Sequence, residues 1–268
     1  MTRGLIAGQG RLPVLVLKAM ERDGSPVYLA EVEGFPSETG REARQFRIET
    51  LGTLVADLAR AGVTELCLAG AIRRPALDPS LIDAATAPLV PRLSDALALG
   101  DDGALRAVIG IFEEAGIAVM GADRFCPDLM PPPGVLCGAL EEGAAQDARR
   151  AEAVMQAMAA ADLGQGCVVS GGQVLAVEAL PGTDWMLRSL AAGHDGPAGG
   201  LLYKAPKPDQ DRRVDLPTIG PQTIRAAAAA GLAGITIEAG GVLVLDRSEV
   251  ISEAQRLGLW LWVRDGSA

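Results

Sequence analysis

Short apolar runs alternate with amphipathic helical stretches along most of this chain, and glycine turns separate them. That alternation marks a parallel α/β sheet, because parallel neighbours need a crossover between them. Residues 4–7, GLIA, read as a strand, followed by Gly8-Gln9-Gly10 and an amphipathic stretch over 12–22. Gly24 stands where a helix C-terminal cap would. Residues 27–32 give a second strand. Residues 50–61 place Leu51, Leu54, Val55 and Leu58 on one helical face and stop at Gly62. Residues 65–69, ELCLA, form a third strand, 105–115 a helix and 117–120 a further strand. The expected class is α/β, beginning with a Rossmann-like parallel sheet.

Residues 126–138, CPDLMPPPGVLCG, hold four prolines and few charges. Three successive prolines favour a stiff extended segment. The expected organisation is a first domain over 1–124, a linker over 125–138 and a second domain over 139–268. The second domain opens with an alanine- and methionine-rich helix over 146–161. Residues 167–170 and 174–179 flank Gly171-Gly172 as a β-hairpin. A helix starts near Trp185, a strand covers 199–203 and a helix covers 222–230. Residues 235–238 and 242–245 read as a second hairpin around Gly240-Gly241. A helix over 248–257 and a strand over 259–263 finish the chain. This half is expected to be α/β with mixed strands.

Composition removes several function classes. The formal charge of −10 argues against a nucleic-acid binder, whose phosphate contacts need a basic face. The single histidine, His194, reads as a surface loop residue and cannot supply a multi-histidine metal site. No Ser-His or Cys-His pair stands out, so hydrolysis would have to run on carboxylates and a metal. The cysteines at 67, 126, 137 and 167 show no CxxC spacing, and Cys67 reads as a small buried residue. Four apolar residues before the first glycine turn are too few for a signal core, and no apolar run is long enough to span a membrane. The expected location is the reducing cytoplasm.

The densest chemistry lies in residues 201–223, LLYKAPKPDQDRRVDLPTIGPQT. Lys204, Lys207, Asp209, Asp211, Arg212, Arg213 and Asp215 crowd into twelve residues, with prolines nearby at 206, 208 and 217. Proline excludes a helix interior, and the charge excludes a core strand. An ordered loop that gathers cations and carboxylates suits a phosphorylated, metal-bound substrate. Within it, Asp209 and Asp211 read as solvated charges that pair with Arg212 and Arg213. Two N-terminal loops suit phosphate as well. In residues 7–13, Gly8 and Gly10 let backbone N–H groups and the following helix N-terminus approach an anion. In residues 69–75, Gly70 precedes Arg73 and Arg74, whose guanidiniums suit phosphate. Position 13 is proline, so a full GxGxxG is absent. Glu31 and Glu33 run into Gly34-Phe35-Pro36 rather than a ribose-binding turn. A nucleotide without a redox role fits better than a dinucleotide. Asp101 and Asp102 read first as helix caps and second as metal ligands.

Taken together, GLIAGQGRLP at 4–13, the AG-x-x-x-RP pattern at 69–75, GDDGALR at 100–106, GQGCVV at 164–169, GTDWML at 182–187 and KAPKPDQDRRVDLPTIG at 204–220 resemble one family. It is the UDP-2,3-diacylglucosamine pyrophosphatases of lipid A biosynthesis, of the type unrelated to metallophosphoesterases. The resemblance implies hydrolysis to UMP and 2,3-diacylglucosamine 1-phosphate (lipid X), with Mg2+ as cofactor. It also implies a UDP-binding first domain and a lipid X-binding second domain that carries the catalytic loop. Its key aspartate falls on Asp215. The sequence departs from the pattern at Pro181, where the family commonly has glutamate.

On this reading Asp215 and Asp184 are the metal carboxylates, and Asp215, Lys204 and Lys207 are the catalytic set. Gly8, Gly10, Leu12, Gly70 and Arg73 would bind the nucleotide, and Thr183 and Thr218 would donate hydroxyls to phosphate oxygens. Thr183 and Asp184 would equally serve as plain helix caps. Met155, Met158, Trp185, Met186, Trp260 and Trp262 are candidates to line an acyl cavity, although core packing is the better reading of each alone. The amphiphilic substrate suits peripheral contact with the inner membrane, and the residues leave a homodimer open. The alternatives are another nucleotide-sugar enzyme or a non-catalytic nucleotide or lipid-phosphate binding protein.

Overall fold

A computed structural model describes the chain except Asp23, residues 73–76, 98–100, 194–198, Asp209 and 267–268, and except the side chains of Leu97, Asp101 and Asp102. It divides into two compact units, Met1–Pro127 and Asp128–Ala268.

The first unit runs β1 (Thr2–Ala7), α1 (Arg11–Glu21), β2 (Val27–Val32), β3 (Arg44–Phe46), α2 (Leu51–Arg60), β4 (Val63–Ala69), α3 (Val90–Leu97), α4 (Asp101–Glu114), β5 (Ala118–Met120) and α5 (Ala122–Phe125). Its sheet has the order β3-β2-β1-β4-β5, and every pairing is parallel. Leu5, Ile6 and Ala7 are all buried, as expected for a central strand covered on both faces. The expected parallel sheet is therefore present. Sequence reading missed β3, a three-residue strand of mostly polar residues, and α3, which has proline at its second position. Asp101 and Asp102 open α4.

Glu31, buried at the end of β2, accepts the Ser37 N–H at 3.1 Å, the Ser37 hydroxyl and the Gln45 amide at 2.9 Å. Its carboxylate therefore holds the loop that follows rather than a ribose. A second polar network ties the segment after β4 to α2. Asp83 accepts the Thr53 hydroxyl at 2.5 Å and the Thr86 N–H at 2.7 Å, while Thr86 accepts the Gly52 N–H at 2.8 Å. Buried Glu49 accepts the Asp78 N–H at 2.8 Å.

The second unit runs β6 (Gly134–Cys137), α6 (Ala144–Ala159), β7 (Gly166–Ser170), β8 (Gln173–Val177), α7 (Thr183–Gly193), β9 (Leu201–Lys204), β10 (Thr218–Ile219), α8 (Pro221–Ala229), β11 (Gly234–Glu238), β12 (Leu243–Val244), α9 (Arg247–Leu257) and β13 (Trp260–Arg264). Six strands form a mixed sheet of order β6-β13-β11-β9-β7-β8. Strands β9, β11 and β13 are parallel, and β6, β7 and β8 run antiparallel to their neighbours. The β7–β8 hairpin forms as expected, with Gly171 and Gly172 at φ 55 and 76. Residues 134–137, read as linker, form strand β6.

The second expected hairpin does not form. Strand β11 is central, with β9 and β13 occupying both its edges, so β12 has no edge there and pairs in parallel with β10 instead.

Side chains alternate across this sheet into two cores. Val168, Leu202, Ile235, Ile237, Leu261 and Val263 join the core that includes α7, α8 and α9 residues. Cys167, Val169, Leu201, Tyr203 and Trp260 join the core built with α6, where Met155 and Met158 also pack. Met186 lies in the first core and Trp185 is exposed, so these four side chains do not line one common apolar chamber. All four cysteines are free. Burial pushes the Cys167 thiol up to about 12 and the Cys67 thiol higher still, as expected for inert core residues.

Two stability outcomes follow. A Cβ on Gly234 would lie 2.0 Å from the Trp260 ring across the β11–β13 pair. Gly234→Ala is expected to lower stability by about 1–3 kcal/mol or more, read in a thermal melt. Burial raises the Asp83 carboxyl, but the Thr53 and Thr86 hydrogen bonds outweigh it and hold the group below the usual aspartate value. A depressed folded-state value means stabilisation present at neutral pH and lost as the pH falls below the ordinary aspartate range. Asp83→Ala is expected to cost about 1–2 kcal/mol near pH 7 and less in acid, as read by urea titrations at both pH values.

Candidate functional site

In the first unit the two glycine loops follow β1 and β4, side by side at the carboxyl edge of the sheet, where open α/β sheets bind ligands. The loops clasp each other through backbone. Gly8 N–H donates to Ala69 O at 2.8 Å, Gln9 N–H to Ala71 O at 2.9 Å, and Ala71 N–H to Gln9 O at 3.0 Å. Gly8 is required by this contact, since a Cβ there would lie 2.8 Å from Ala71 O. Gly70, at φ 93, packs so close to Pro13 that a Cβ would lie 2.6 Å from its ring. The N–H groups of Gly8 and Gln9 are thus engaged within the fold rather than aimed at an anion. What faces outward is the start of α1, where Gly10 is an N-cap without side-chain capping and the first N–H groups, Leu12 among them, have no intrahelical acceptor. Arg73 and Arg74 lie outside the described residues, as do Asp209 and His194.

In the second unit the chemistry gathers at the edge where β9 and β11 end and antiparallel β7 begins. Lys204 is the last residue of β9, aligned with Ile237 on β11 and Gly166 on β7. Its side chain is buried, only 4% of the residue being exposed. The ammonium donates to Thr183 Oγ1 at 2.5 Å and lies 3.2 Å from Glu178 Oε2. Thr183 in turn donates to the same Glu178 oxygen at 2.9 Å. Thr183 opens α7 and Glu178 follows β8, so the strand end, the helix start and the hairpin exit are tied at one point. Glycines make the room: a Cβ on Gly164 would lie 2.5 Å from Glu178 Cγ, and one on Gly166 would lie 2.9 Å from Glu178 Oε2. The GQG motif at 164–166 is thus shaped to receive a buried carboxylate.

Between those glycines, Gln165 reaches the charged loop. Its amide donates to Gln210 Oε1 at 3.0 Å and to Asp215 O at 3.2 Å. Gln210 also accepts the Lys207 N–H at 3.0 Å and donates through Nε2 to Asp215 Oδ2. Asp215 is half-buried at the end of this chain of bonds. The remaining charges of the loop turn elsewhere. Arg213 clasps Asp211 with contacts of 2.9 and 2.7 Å, and Arg212 reaches Glu238 at 3.2 Å. The Lys207 ammonium sits 2.6 Å from Asp162 rather than in the Lys204 cluster. Thr218 is half-buried on β10, and Asp184 is exposed in the first turn of α7.

The structure therefore joins Lys204 to Thr183, and links Asp215 to that edge through Gln165. Sequence reading missed Glu178, Gln165 and Gln210. The need of a buried lysine for an anionic partner would have pointed to Glu178, three residues before Pro181. Among the described residues no three His, Cys, Asp or Glu side chains group as a protein-only metal cage. Magnesium does not require one, since it commonly takes one or two carboxylates with substrate oxygens and waters.

Residues 2–129 match the LpxI N-terminal domain, and residues 132–262 match the LpxI C-terminal domain. The chain is also 40% identical, over 269 residues, to the UDP-2,3-diacylglucosamine pyrophosphatase LpxI of Caulobacter vibrioides, covering 96% of this chain and 95% of that one.

Breaking a buried ion pair strands the remaining charge. Glu178→Gln is expected to destabilise the second unit by about 3–5 kcal/mol, seen as a lower urea midpoint. Adding Lys204→Met to that variant should recover much of the loss, because no buried charge then remains.

Proposed function

Because this chain belongs to the LpxI family of enzymes, we propose that it hydrolyses the diphosphate bond of UDP-2,3-diacylglucosamine. The products are UMP and 2,3-diacylglucosamine 1-phosphate, and the cofactor is magnesium. The observation that supports this reading is the buried Lys204–Thr183–Glu178 cluster, joined through Gln165 to the loop that carries Asp215.

A diphosphate diester carries two negative charges and repels an anionic nucleophile, so catalysis needs alignment and charge stabilisation. Lys204 is pre-aimed by two acceptors and does not have to be ordered when substrate arrives. The Thr183 hydroxyl lies beside it as a further group for phosphate oxygens. Asp215 orients the attacking water. Asp215, with Asp184 from the α7 first turn, would hold the metal, whose contribution when bound is charge neutralisation on the diphosphate oxygens. In the first unit, the open start of α1 and Gly10 would receive the nucleotide phosphate.

The substrate is amphiphilic, and the reading places the enzyme in the cytoplasm, meeting its substrate at the inner membrane surface. Among the described residues no helix is long and apolar enough to cross a membrane.

Incubation with UDP-2,3-diacylglucosamine and Mg2+ should yield UMP and lipid X by mass spectrometry, with turnover abolished by EDTA. Binding of the intact substrate without cleavage would overturn the proposal. Asp215→Ala should reduce kcat about a thousandfold, and near-normal turnover would remove Asp215 from the chemistry.

A further inference from the structure

We propose that Gln210 is a positioning residue that fixes the Asp215 carboxylate, with Gln165 setting the orientation of Gln210. The inference rests on Asp215 taking part in the hydrolysis.

A carboxamide has two chemically different ends, and its surroundings decide which end points where. Gln210 Oε1 meets two donors, the Gln165 amide and the Lys207 backbone N–H, each at 3.0 Å. Both acceptor positions of that oxygen are thereby filled by N–H groups. The opposite end is then obliged to be NH2, and it donates to Asp215 Oδ2. Gln165 makes a second bond, to the Asp215 carbonyl at 3.2 Å, so one side chain braces both the clamp and the backbone of the residue clamped. Gln165 is itself fixed between Gly164 and Gly166, and its carbonyl accepts the Ala205 N–H at 3.2 Å. Gln210 is buried although it lies in a loop dense with charge. A surface glutamine of that loop would gain nothing from burial. A glutamine that holds a carboxylate in one plane must be dry, because water would compete for the same bond.

The chemistry also explains why a neutral residue serves. A lysine or arginine at 210 would neutralise Asp215 and compete with a metal for its oxygens. An amide donor orients the carboxylate and leaves its charge in place.

The test is Gln210→Met. The replacement has nearly the same length but no donor facing Asp215, and it brings no second carboxyl group against that residue. The expected result is a fall in kcat of on the order of 10- to 100-fold with KM little changed and the variant still folded at the assay temperature. A kcat within twofold of wild type would overturn the clamp (a twofold change being roughly 0.4 kcal/mol). Asp215→Ala, assayed alongside, separates the two ideas. If it too is near normal, the role of Asp215 has failed; if it is inactive while Gln210→Met is normal, only the clamp has failed. Side-chain amide NMR supplies a readout that does not depend on turnover or on the stability of the Gln210 variant. The Gln210 NH2 resonances should lie away from the free-glutamine position in wild type and move toward it in Asp215→Asn. Free-glutamine shifts in wild type would overturn the proposal.

Discussion

The second unit is organised around one constraint: a lysine ammonium at the end of a central strand is buried and has to be satisfied there. Removing both Lys204 and Glu178 from water is expensive, and attraction offsets the cost only where geometry is good and other donors fill the remaining positions. Here the conditions are met from several directions. The hairpin delivers Glu178, the start of α7 delivers the Thr183 hydroxyl, and Gly164 and Gly166 leave space that any side chain would fill. Shifting any of these elements would leave a charge uncompensated. The arrangement is thus rigid because error in it is costly, which is the property a phosphate-aligning group needs.

Much of the fold was legible because strand burial is written into local sequence. Short, largely apolar runs such as GLIA and ELCLA read as strands, and they became part of β1 and β4 of a parallel sheet. Gly62 and the Gly171-Gly172 pair take positive φ, as their positions implied. What failed was partner choice. Residues 235–238 and 242–245 carry the local signature of a hairpin, but whether two strands pair depends on which edges other strands have already taken. Strand β11 had none free, and nothing within ten residues of Gly240 records that.

The site was legible in part for a related reason. Charged residues stand out in an apolar chain, so Lys204 and Asp215 were visible. The residues that hold them were not, because Gln165 and Gln210 are neutral and Glu178 lies in another motif. Glu178 and Gln165 reach Lys204, Gln210 and Asp215 through hydrogen bonds between segments 26 to 50 residues apart. The first-unit loops show the reverse. Gly8 reads in sequence as part of an anion cradle, and in the structure Gly8 and Gly70 permit two backbones to meet. Close approach of a chain to a ligand and of a chain to itself leave the same mark in sequence.

The pairing pattern bears on the electrostatics of hydrolysis. Lys204 carries one positive charge and Glu178 one negative. Lys207 stands against Asp162, Arg213 against Asp211 and Arg212 against Glu238. Each of these cations of the loop therefore already has an anion beside it. The described part of this loop offers directed donors but little net positive charge, whereas the diphosphate brings two negative charges to it. Directed donors align a substrate, but stabilising charge that grows in a transition state needs an uncompensated cation nearby. A divalent ion held by Asp215 and Asp184 together with the substrate's own oxygens, as proposed, would meet that need without disturbing the internal pairs. On the proposed mechanism the internal pairs and a divalent ion would have separate tasks: the pairs hold the loop in shape, and the ion would supply the charge. A carboxylate oriented by a neutral amide clamp is the element that would connect the two.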